Sequence, residues 1–186
     1  MILYIDCAFR EGSRTKELAE YYMAGKSGSV QKVDLGKLKI EPLLEESLKK
    51  YNKAVGAHEF SDSMFDIAKQ FAEADEIVIA APFWNYSIPA ALHTYLEMVC
   101  SQGVTFDIGS DGIYFSLCKA KKLTFITTSG GFIPEADSAF SYIKSLCDVF
   151  WNIRDVHYYK AEGLDIIGND VSGIMNAVKA EMDKEK

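Results

Sequence analysis

The stretch that decides the fold is Ile77-Val-Ile-Ala-Ala-Pro-Phe-Trp-Asn-Tyr-Ser-Ile-Pro89. It begins with a purely aliphatic run, Ile77–Ala81, which predicts a strand buried on both faces at the centre of a parallel sheet. Residues 82–88 are predicted to form a loop, and Pro89 is predicted to lie in the first turn of a helix, where proline is tolerated. The apolar residues that follow recur at i, i+3, i+4 and i+7, as on one face of a helix, and they are Leu92, Tyr95, Leu96 and Val99.

The same alternation of strand and helix extends to both ends of the chain. The other predicted strands are Ile2–Ile5, Val30–Leu35, Leu123–Thr127 and Val156–Ala161. Helical periodicity marks residues 15–23, 64–71, 139–150 and 171–182. This alternation is typical of a parallel sheet with helices on both faces, and the alternating pattern of Val30–Leu35 predicts a position nearer an edge. We therefore predict one doubly wound α/β domain over residues 1–186.

Three local features complete the predicted organisation. Residues 36–60 are charged around Pro42 and are predicted to form a long surface excursion with a helical turn or two. Gly103–Cys118 has no helical period, and its Gly109-Ser-Asp-Gly112 centre predicts a turn between two short extended arms. Asn169 is predicted to cap the last helix.

Composition excludes several classes of protein. The chain has 186 residues, of which 48% are apolar and 25% charged, so it should bury a full core and fold unaided. Its 20 Lys and Arg against 27 Asp and Glu give a formal charge of −7, which argues against a nucleic-acid or anionic-membrane surface. The apolar run Ile77–Trp84 is far too short to span a bilayer. We therefore expect neither nucleic acid nor a membrane as a partner.

The N-terminal residues and the cysteines indicate the compartment. The apolar run Met1–Ile5 is followed directly by Asp6, so it lacks the basic segment and the long apolar segment of a secretory signal peptide. The spacing of the cysteines fits neither a zinc site nor a thioredoxin-type motif, and they are Cys7, Cys100, Cys118 and Cys147. We expect a cytoplasmic protein with reduced thiols and no metal site.

The first of three candidate ligand loops covers residues 6–14, because ligands of doubly wound sheets bind outside the carboxyl ends of the strands. It contains neither a GxGxxG pattern nor a Walker A lysine, so the usual marker of dinucleotide or nucleoside triphosphate binding is missing. At the start of a helix, exposed backbone amides together with hydroxyl and guanidinium groups are suited to bind a phosphate monoester. The side chains that supply these hydroxyl and guanidinium groups are Arg10, Ser13, Arg14 and Thr15. The alternative is that Ser13 simply caps the helix beside two solvated arginines.

The second loop, residues 82–88, concentrates aromatic side chains at the end of the central strand. Phe83, Trp84 and Tyr86 are suited to wall a flat heterocycle, while Asn85 and free backbone amides supply hydrogen bonds. The alternative is that Phe83 and Trp84 belong to the core and cover the end of the sheet.

The third loop, residues 128–134, pairs two hydroxyl residues with two glycines. Thr128 and Ser129 precede Gly130 and Gly131, which permit close approach of the backbone to a ligand. An ordinary glycine turn explains the same residues, so both interpretations stay open.

Taken together, these segments resemble a known family. The stretch from Ile77 to Pro89, Gly103-Val-Thr-Phe106, Thr128-Ser-Gly-Gly131 and Ala161-Glu-Gly163 are similar, in the same order, to segments of the flavodoxin-like NAD(P)H:quinone oxidoreductases and FMN-dependent azoreductases. The resemblance covers nearly the whole chain and is weakest over residues 36–60. It implies a five-stranded parallel sheet in the order 2-1-3-4-5 with helices on both faces.

The resemblance assigns the cofactor FMN to the three loops. It implies that the binding residues are Arg10, Ser13, Arg14, Thr15, Pro82, Phe83, Trp84, Asn85, Tyr86, Ser129, Gly130 and Gly131. Ser13, Arg14 and Thr15 would hold the phosphate, and the other two loops would contact the isoalloxazine ring. The family often has a hydroxyl residue early in the first loop, where this chain has Cys7. Because a thiol is a weak donor, that phosphate contact would be lost or replaced by Arg10.

The resemblance also implies an activity and an assembly. NADH or NADPH would donate two electrons and leave before a quinone or azo compound accepts them, in a ping-pong cycle whose reactive chemistry belongs to the cofactor. Tyr86 or Tyr114 would help to protonate the acceptor. A homodimer is implied, in which the second subunit closes the pocket through residues 36–60 or 103–118.

Two other functions compete with this interpretation. A flavodoxin-type electron carrier without its own substrate also binds FMN on this fold and is acidic. The loop Cys7–Thr15 is poorer in Thr and Gly than the phosphate loops of such carriers, which counts against that function. The second competitor is a flavin-free interaction module on the same scaffold, in which the loop aromatics contact a protein.

Overall fold

A parallel sheet organises the chain in the computed structural model, which describes residues 1–184. In chain order, the strands are β1 (Ile2–Asp6), β2 (Val30–Asp34), β3 (Glu76–Ala80), β4 (Phe106–Ile108), β5 (Tyr114–Ser116), β6 (Lys122–Thr128) and β7 (Asp155–Ala161). The helices are α1 (Arg14–Ala24), α2 (Glu45–Ala57), α3 (Asp66–Glu73), α4 (Ala90–Val99), α5 (Ser138–Leu146) and α6 (Val171–Asp183). Within residues 1–184, none of these helices is both long and apolar enough to cross a membrane.

The strand order confirms the predicted architecture. Five strands pair in the order β2-β1-β3-β6-β7, all in parallel, which is the order 2-1-3-4-5 in terms of the predicted strands. The aliphatic strand β3 lies at the centre, with Ile77–Ala80 fully buried. Strand β2 lies at an edge, and its first three residues are exposed. The composition of each strand therefore matches the number of neighbours that it has.

Helices cover both faces of the sheet, because alternate side chains of each strand point to opposite sides. On β1, Leu3 and Ile5 face one core, to which α3, α4 and α5 also contribute. Ile2 and Tyr4 face the other core, which α1 and α6 cover. Two separate apolar layers thus fix the sheet between helices and leave the loops at its carboxyl edge to form a site.

Residues 36–60 contain more helix than the sequence predicts. Instead of one or two turns, Glu45–Ala57 forms a continuous helix of 13 residues, α2. Leu48, Tyr51 and Val55 recur at i, i+3 and i+7 along α2, so the sequence carries helical periodicity here, although no side chain of this helix is fully buried. Glu, Lys and Ala, which have high intrinsic helix propensity, support the helix further.

The ends of two helices also differ from the predictions. The capping residue of α6 is Asp170, whose side chain accepts a hydrogen bond from the Gly173 N–H at 2.9 Å. The prediction of Asn169 as the cap was wrong, because its side-chain amide donates instead to the Gly163 carbonyl at 2.8 Å. Pro89 lies one position before the first turn of α4, at the N-cap.

The two predicted arms are confirmed as an antiparallel pair. Phe106 of β4 lies opposite Ser116 of β5, and Ile108 lies opposite Tyr114. The arm packs against the π-helical turn that follows α5, where the ring centroids of Phe106 and Phe150 lie 4.3 Å apart. The arm is therefore held by aromatic packing outside the main sheet.

Candidate functional site

A cavity of about 150 Å³ lies at the carboxyl ends of the central strands. Residues from all three predicted loops line it, and they are Arg10, Ser13, Arg14, Thr15, Pro82, Phe83, Trp84, Ser129 and Gly130. We call the part formed by Ser13, Arg14, Thr15 and Thr128 the helix end. We call the loop formed by Phe83, Trp84, Asn85 and Tyr86 the turn end.

The helix end is the first turn of α1. Ser13 caps this helix, because its Oγ accepts a hydrogen bond from the Lys16 N–H at 3.3 Å. The backbone N–H groups of Arg14 and Thr15, which precede Lys16, have no carbonyl partner within the helix. Both residues line the cavity at the positive end of the helix dipole, which makes the helix end suited to an anion.

Two buried hydroxyl groups of the helix end form a hydrogen bond with each other. Thr15 Oγ1 and Thr128 Oγ1 lie 2.6 Å apart, and the two residues are 1% and 8% exposed. One hydroxyl donates to the other, so one hydroxyl hydrogen remains for a further acceptor. This bond joins the start of α1 to the end of β6 and therefore fixes two walls of the cavity.

Arg14 is held by the loop that follows β7. Its Nη1 atom forms an ion pair with Asp165 Oδ1 at 2.7 Å and donates to the Leu164 carbonyl at 3.2 Å. The expected alternative for the first loop is thus half correct, because Ser13 is a cap but Arg14 forms an ion pair with Asp165 instead of standing free in solvent. Arg10, in contrast, is exposed.

The turn end is a tight hairpin. The backbones of Trp84 and Ser87 exchange two hydrogen bonds, each 2.9 Å long. Between them, Asn85 and Tyr86 have φ angles of 51° and 61°, the left-handed pair that a type I′ turn requires. Asn tolerates this conformation, whereas Tyr pays a steric cost for it. Of the aromatic side chains of the turn end, those of Trp84 and Tyr86 are exposed.

The structure separates the two aromatic residues that precede the turn. Phe83 packs against the core beneath the sheet end, whereas Trp84 is 44% exposed. The exposed Trp84 indole also borders a second, open depression beside the cavity, together with Asn85. Trp84 is therefore available to a ligand, whereas Phe83 packs against the core.

Several predicted residues lie outside the cavity lining. Tyr86 is 71% exposed, and the centroid of its ring lies 6.1 Å from that of Phe83. Its backbone carbonyl accepts a hydrogen bond from the Ser138 hydroxyl. Gly131 follows Gly130 at the surface. Tyr114 lies on the β4–β5 arm, where it packs against Phe106 and Phe150.

Cys7 lies beneath the first loop and not in the cavity lining. Its side chain is fully buried in the core, and burial, together with the nearby Asp6 carboxylate, raises the pKa of the thiol to about 12. Asp6 itself accepts a hydrogen bond from the Ala8 N–H at 2.9 Å and pairs with Lys32 at 2.7 Å. The protonated thiol and the Asp6 carboxylate therefore hold the start of the loop.

Sequence reasoning missed the contribution of the loop after β7. Leu164 and Asp165 line the cavity, as do Ala8 and Phe9 from the first loop. The rule that ligands bind beyond the carboxyl ends of parallel strands, applied to β7 as well, would have indicated residues 162–170. The pairing of Asp165 with Arg14 has no signal in the sequence, because 151 positions separate the two residues.

This geometry combines an anion site with an exposed aromatic surface on one sheet edge. The model of the flavodoxin-like fold family matches residues 1–185. The chain belongs to the flavodoxin-like fold family. Family membership explains why a cavity without a GxGxxG pattern sits at the switch point of the sheet.

Two relatives in sequence cover most of the chain. FMN-dependent NADH:quinone oxidoreductase 2 of Clostridium acetobutylicum is 34% identical, over 100% of this chain and 98% of that protein. The FMN-dependent NADH:quinone oxidoreductase of Coprothermobacter proteolyticus is 33% identical, over 87% of this chain and 84% of that protein. The chain is therefore similar to whole members of the family and not to a fragment of them.

Solved structures agree on the fold. An azoreductase from Bacillus anthracis strain Sterne superposes with a TM-score of 0.85 at 22% identity, covering 99% of this chain and 97% of that chain. An FMN-dependent NADH-azoreductase from Bacillus anthracis strain Ames Ancestor, in complex with FMN, superposes with a TM-score of 0.78 at 18% identity, covering 99% and 98%. At these identities the likeness establishes the flavodoxin-like fold alone.

Proposed function

We propose that the protein is an FMN-dependent oxidoreductase that transfers two electrons from NADH to quinones or azo compounds. The observation that carries this proposal is a single cavity that is lined both by the helix end and by Phe83 and Trp84 of the turn end. An anion site beside an exposed aromatic face matches the two parts of FMN, a phosphate and a flat ring. The names of the sequence relatives, FMN-dependent NADH:quinone oxidoreductases, support the same cofactor and donor.

The helix end fits a phosphate group. It offers the N–H groups of the first turn of α1, a hydroxyl hydrogen from the Thr15–Thr128 pair and the guanidinium of Arg14. Arg10 lines the same cavity and is free to turn toward an anion. These local donors explain how a chain with a net charge of −7 attracts a phosphate dianion.

The turn end fits the ring. Trp84 presents an exposed indole in the cavity lining, and Phe83 lines the same cavity while it packs against the core. On the opposite side, Ser129 and Gly130 bring the backbone close to the space between the two loops. Pro82, Asn85, Tyr86 and Gly131 complete the set of residues that we assign to the ring.

Bound FMN would supply the two-electron chemistry itself. The chain must therefore hold the flavin and leave one of its faces accessible. The exposure of Trp84 and Tyr86 supports an open face on which NADH and the acceptor bind in turn, as in a ping-pong cycle. Tyr86 is our first choice for protonating the acceptor, because it stands at the edge of this face. Tyr114 would take part only through a neighbouring subunit.

We also propose a homodimer in the cytoplasm. The exposed apolar side chains near the site and on the arm form a surface that a second copy would cover, and they include Phe9, Ile113, Phe115 and Phe132. Residues 36–60 or 103–118 are the segments that we assign to closing the pocket across the dimer. The four cysteines are free thiols, which fits a reducing compartment.

The test is a steady-state assay of the purified protein loaded with FMN. We expect the protein to bind FMN and to oxidise NADH when menadione is added, with parallel double-reciprocal plots that report a ping-pong mechanism. Binding of FMN without turnover of NADH would favour an electron carrier. Failure to bind FMN at all would overturn the proposal.

A further inference from the structure

One acidic side chain stands in the part of the cavity that is otherwise suited to an anion. Asp165 lines the cavity beside Arg14, and its Oδ1 atom lies 2.7 Å from Arg14 Nη1. The carboxylate thus already occupies one of the donors that a phosphate would use. Its side chain is 66% exposed and that of Arg14 is 33% exposed, so the pair is in contact with solvent.

The same carboxylate covers the backbone at Gly130. A Cβ atom built on Gly130 would overlap Oδ2 of Asp165, so the carboxylate rests directly on the glycine. Gly130 is the residue at which close approach to a ligand was expected. The cavity of about 150 Å³ is smaller than the roughly 300–1,000 Å³ that small-molecule pockets usually have. The carboxylate therefore fills space beside Gly130 and also occupies an N–H donor of Arg14.

The backbone keeps Asp165 in this place. The Asp165 N–H donates to the Gly130 carbonyl at 2.9 Å, and the Leu164 N–H donates to the Ser129 carbonyl at 3.1 Å. These bonds continue the pairing of β6 with β7 beyond the strands. These backbone bonds hold the Cα atom of Asp165 at the cavity, and the ion pair with Arg14 holds its side chain. A phosphate bound beside Arg14 therefore meets a nearby negative charge.

We propose that Asp165 is an internal competitor of the FMN phosphate and sets how strongly this chain prefers FMN to unphosphorylated riboflavin. Arg14 Nη1 must release or share the carboxylate when the phosphate binds, and the two anions repel each other at short range. Both effects weaken the binding of a phosphorylated flavin and leave riboflavin unaffected. This inference rests on the proposed function, because it assigns the phosphate of FMN to the helix end.

Substitution of Asp165 tests the competition directly. Asp165→Asn removes the charge but keeps an oxygen that accepts from Arg14, and Asp165→Ser removes both the charge and most of the bulk. We expect each variant to bind FMN about fivefold more tightly than the wild type, a modest factor because the pair is exposed. The affinity for riboflavin should not change in Asp165→Asn, because Asn keeps the volume of the side chain over Gly130. Dissociation constants from quenching of flavin fluorescence measure both ligands.

Two control variants separate this effect from a general change of charge. Asp66→Asn makes the same replacement at a side chain that is 65% exposed and pairs with Lys69, outside the cavity, and should leave both affinities unchanged. Asp165→Glu keeps the charge and should retain the wild-type affinity for FMN. High salt should shrink the difference between Asp165→Asn and the wild type, because it screens exposed charges.

The outcomes for the inference and for the proposed function differ. If the wild type binds FMN but Asp165→Asn and Asp165→Ser bind it no more tightly, the competition is refuted while the function stands. If the wild type binds no flavin, the proposed function fails, and inorganic phosphate becomes the probe. Phosphate should then raise the melting temperature of Asp165→Asn more than that of the wild type, and an equal rise would refute the competition.

Discussion

The two ends of the cavity are built in different ways. At the helix end, Thr15 and Thr128 are 1% and 8% exposed, and they are joined by a hydrogen bond between α1 and β6. At the turn end, Trp84 and Tyr86 are 44% and 71% exposed and stand on a hairpin of two left-handed residues. The fold therefore completes the helix end, which we propose as the anion site, by itself, whereas it leaves the aromatic side chains of the turn end exposed.

This difference predicts different consequences of substitution. Groups at the helix end belong both to the core and to the cavity, so changing them should affect stability or phosphate binding strongly. Groups at the turn end contribute few buried contacts, so changing them should leave the fold intact. The four predictions below follow in order of decreasing effect.

Arg14→Ala should produce the largest effect, on ligand affinity. A hydrogen bond to a charged group is worth about 1.5–3 kcal/mol, so the affinity for FMN should fall roughly tenfold to a hundredfold. The affinity for riboflavin should change little, because riboflavin has no phosphate. Calorimetric titration of both flavins measures the two losses. Arg154→Ala, at a side chain that is 72% exposed and pairs with Asp148, is the matched control. Equal losses for both flavins would show that Arg14 does not face the phosphate.

Thr15→Val should lower the free energy of unfolding by about 1–3 kcal/mol, because it leaves the buried Thr128 hydroxyl without its partner. The double variant Thr15→Val/Thr128→Val should cost less than the sum of the two single variants, because it removes both hydroxyls together. Denaturation by urea measures all four proteins. Additive costs would mean that the hydroxyls do not interact.

The buried Cys7 thiol, which lies beneath the first loop, makes the stability of the protein sensitive to alkaline pH. Burial raises the pKa of this thiol from 9.0 to about 12, so the native protein keeps a proton that the unfolded chain loses above pH 9. The stability that this proton contributes is fully present below pH 9 and is lost as the pH rises toward 12. Between pH 7 and 10 the loss should amount to about 1.4 kcal/mol.

Urea denaturation of the wild type and of Cys7→Ala at pH 7 and 10 isolates this contribution. The difference in stability between the two pH values should be smaller for Cys7→Ala by the amount given above. Identical pH dependence of both proteins would show that the thiol ionises normally in the native state.

Tyr86→Gly should produce the smallest effect, and a favourable one. Gly adopts the left-handed conformation of position 86 without a steric penalty, so the free energy of unfolding should rise by about 0.5 kcal/mol. Tyr86→Ala keeps the penalty and serves as the control. Thermal denaturation of the three proteins compares them, and a loss of stability in Tyr86→Gly would show that the side chain carries more packing than its exposure indicates.

The sequence contains enough information for the sheet, because each strand has its own composition. The aliphatic run at Ile77–Ala80 could only be a central strand, and the alternation at Val30–Asp34 marked an edge. The length of helix α2 was underpredicted, although Leu48, Tyr51 and Val55 already show helical spacing. The cap of α6 was misassigned because Asn169 and Asp170 are adjacent and both residue types favour the N-cap position, so that only the backbone geometry decides between them.

The candidate site was predictable to the extent that it is local. Ser13, Arg14 and Thr15 are contiguous, and their position after a strand predicts an anion site. The partner of Arg14 was not predictable, because Asp165 comes from the far end of the chain and meets Arg14 only through the pairing of β6 with β7. The exposure of Trp84 could not be predicted from the sequence either, because an aromatic residue at the end of a strand can equally well be buried in the core.

The relative affinity of the wild-type protein for FMN and riboflavin tests most directly whether the helix end holds a phosphate. The two ligands share the ring and differ only in the phosphate, so the turn end contributes equally to both. We expect FMN to bind at least about tenfold more tightly, even with the competing Asp165 in place. Equal dissociation constants for FMN and riboflavin would contradict the assignment of the phosphate to the first turn of α1.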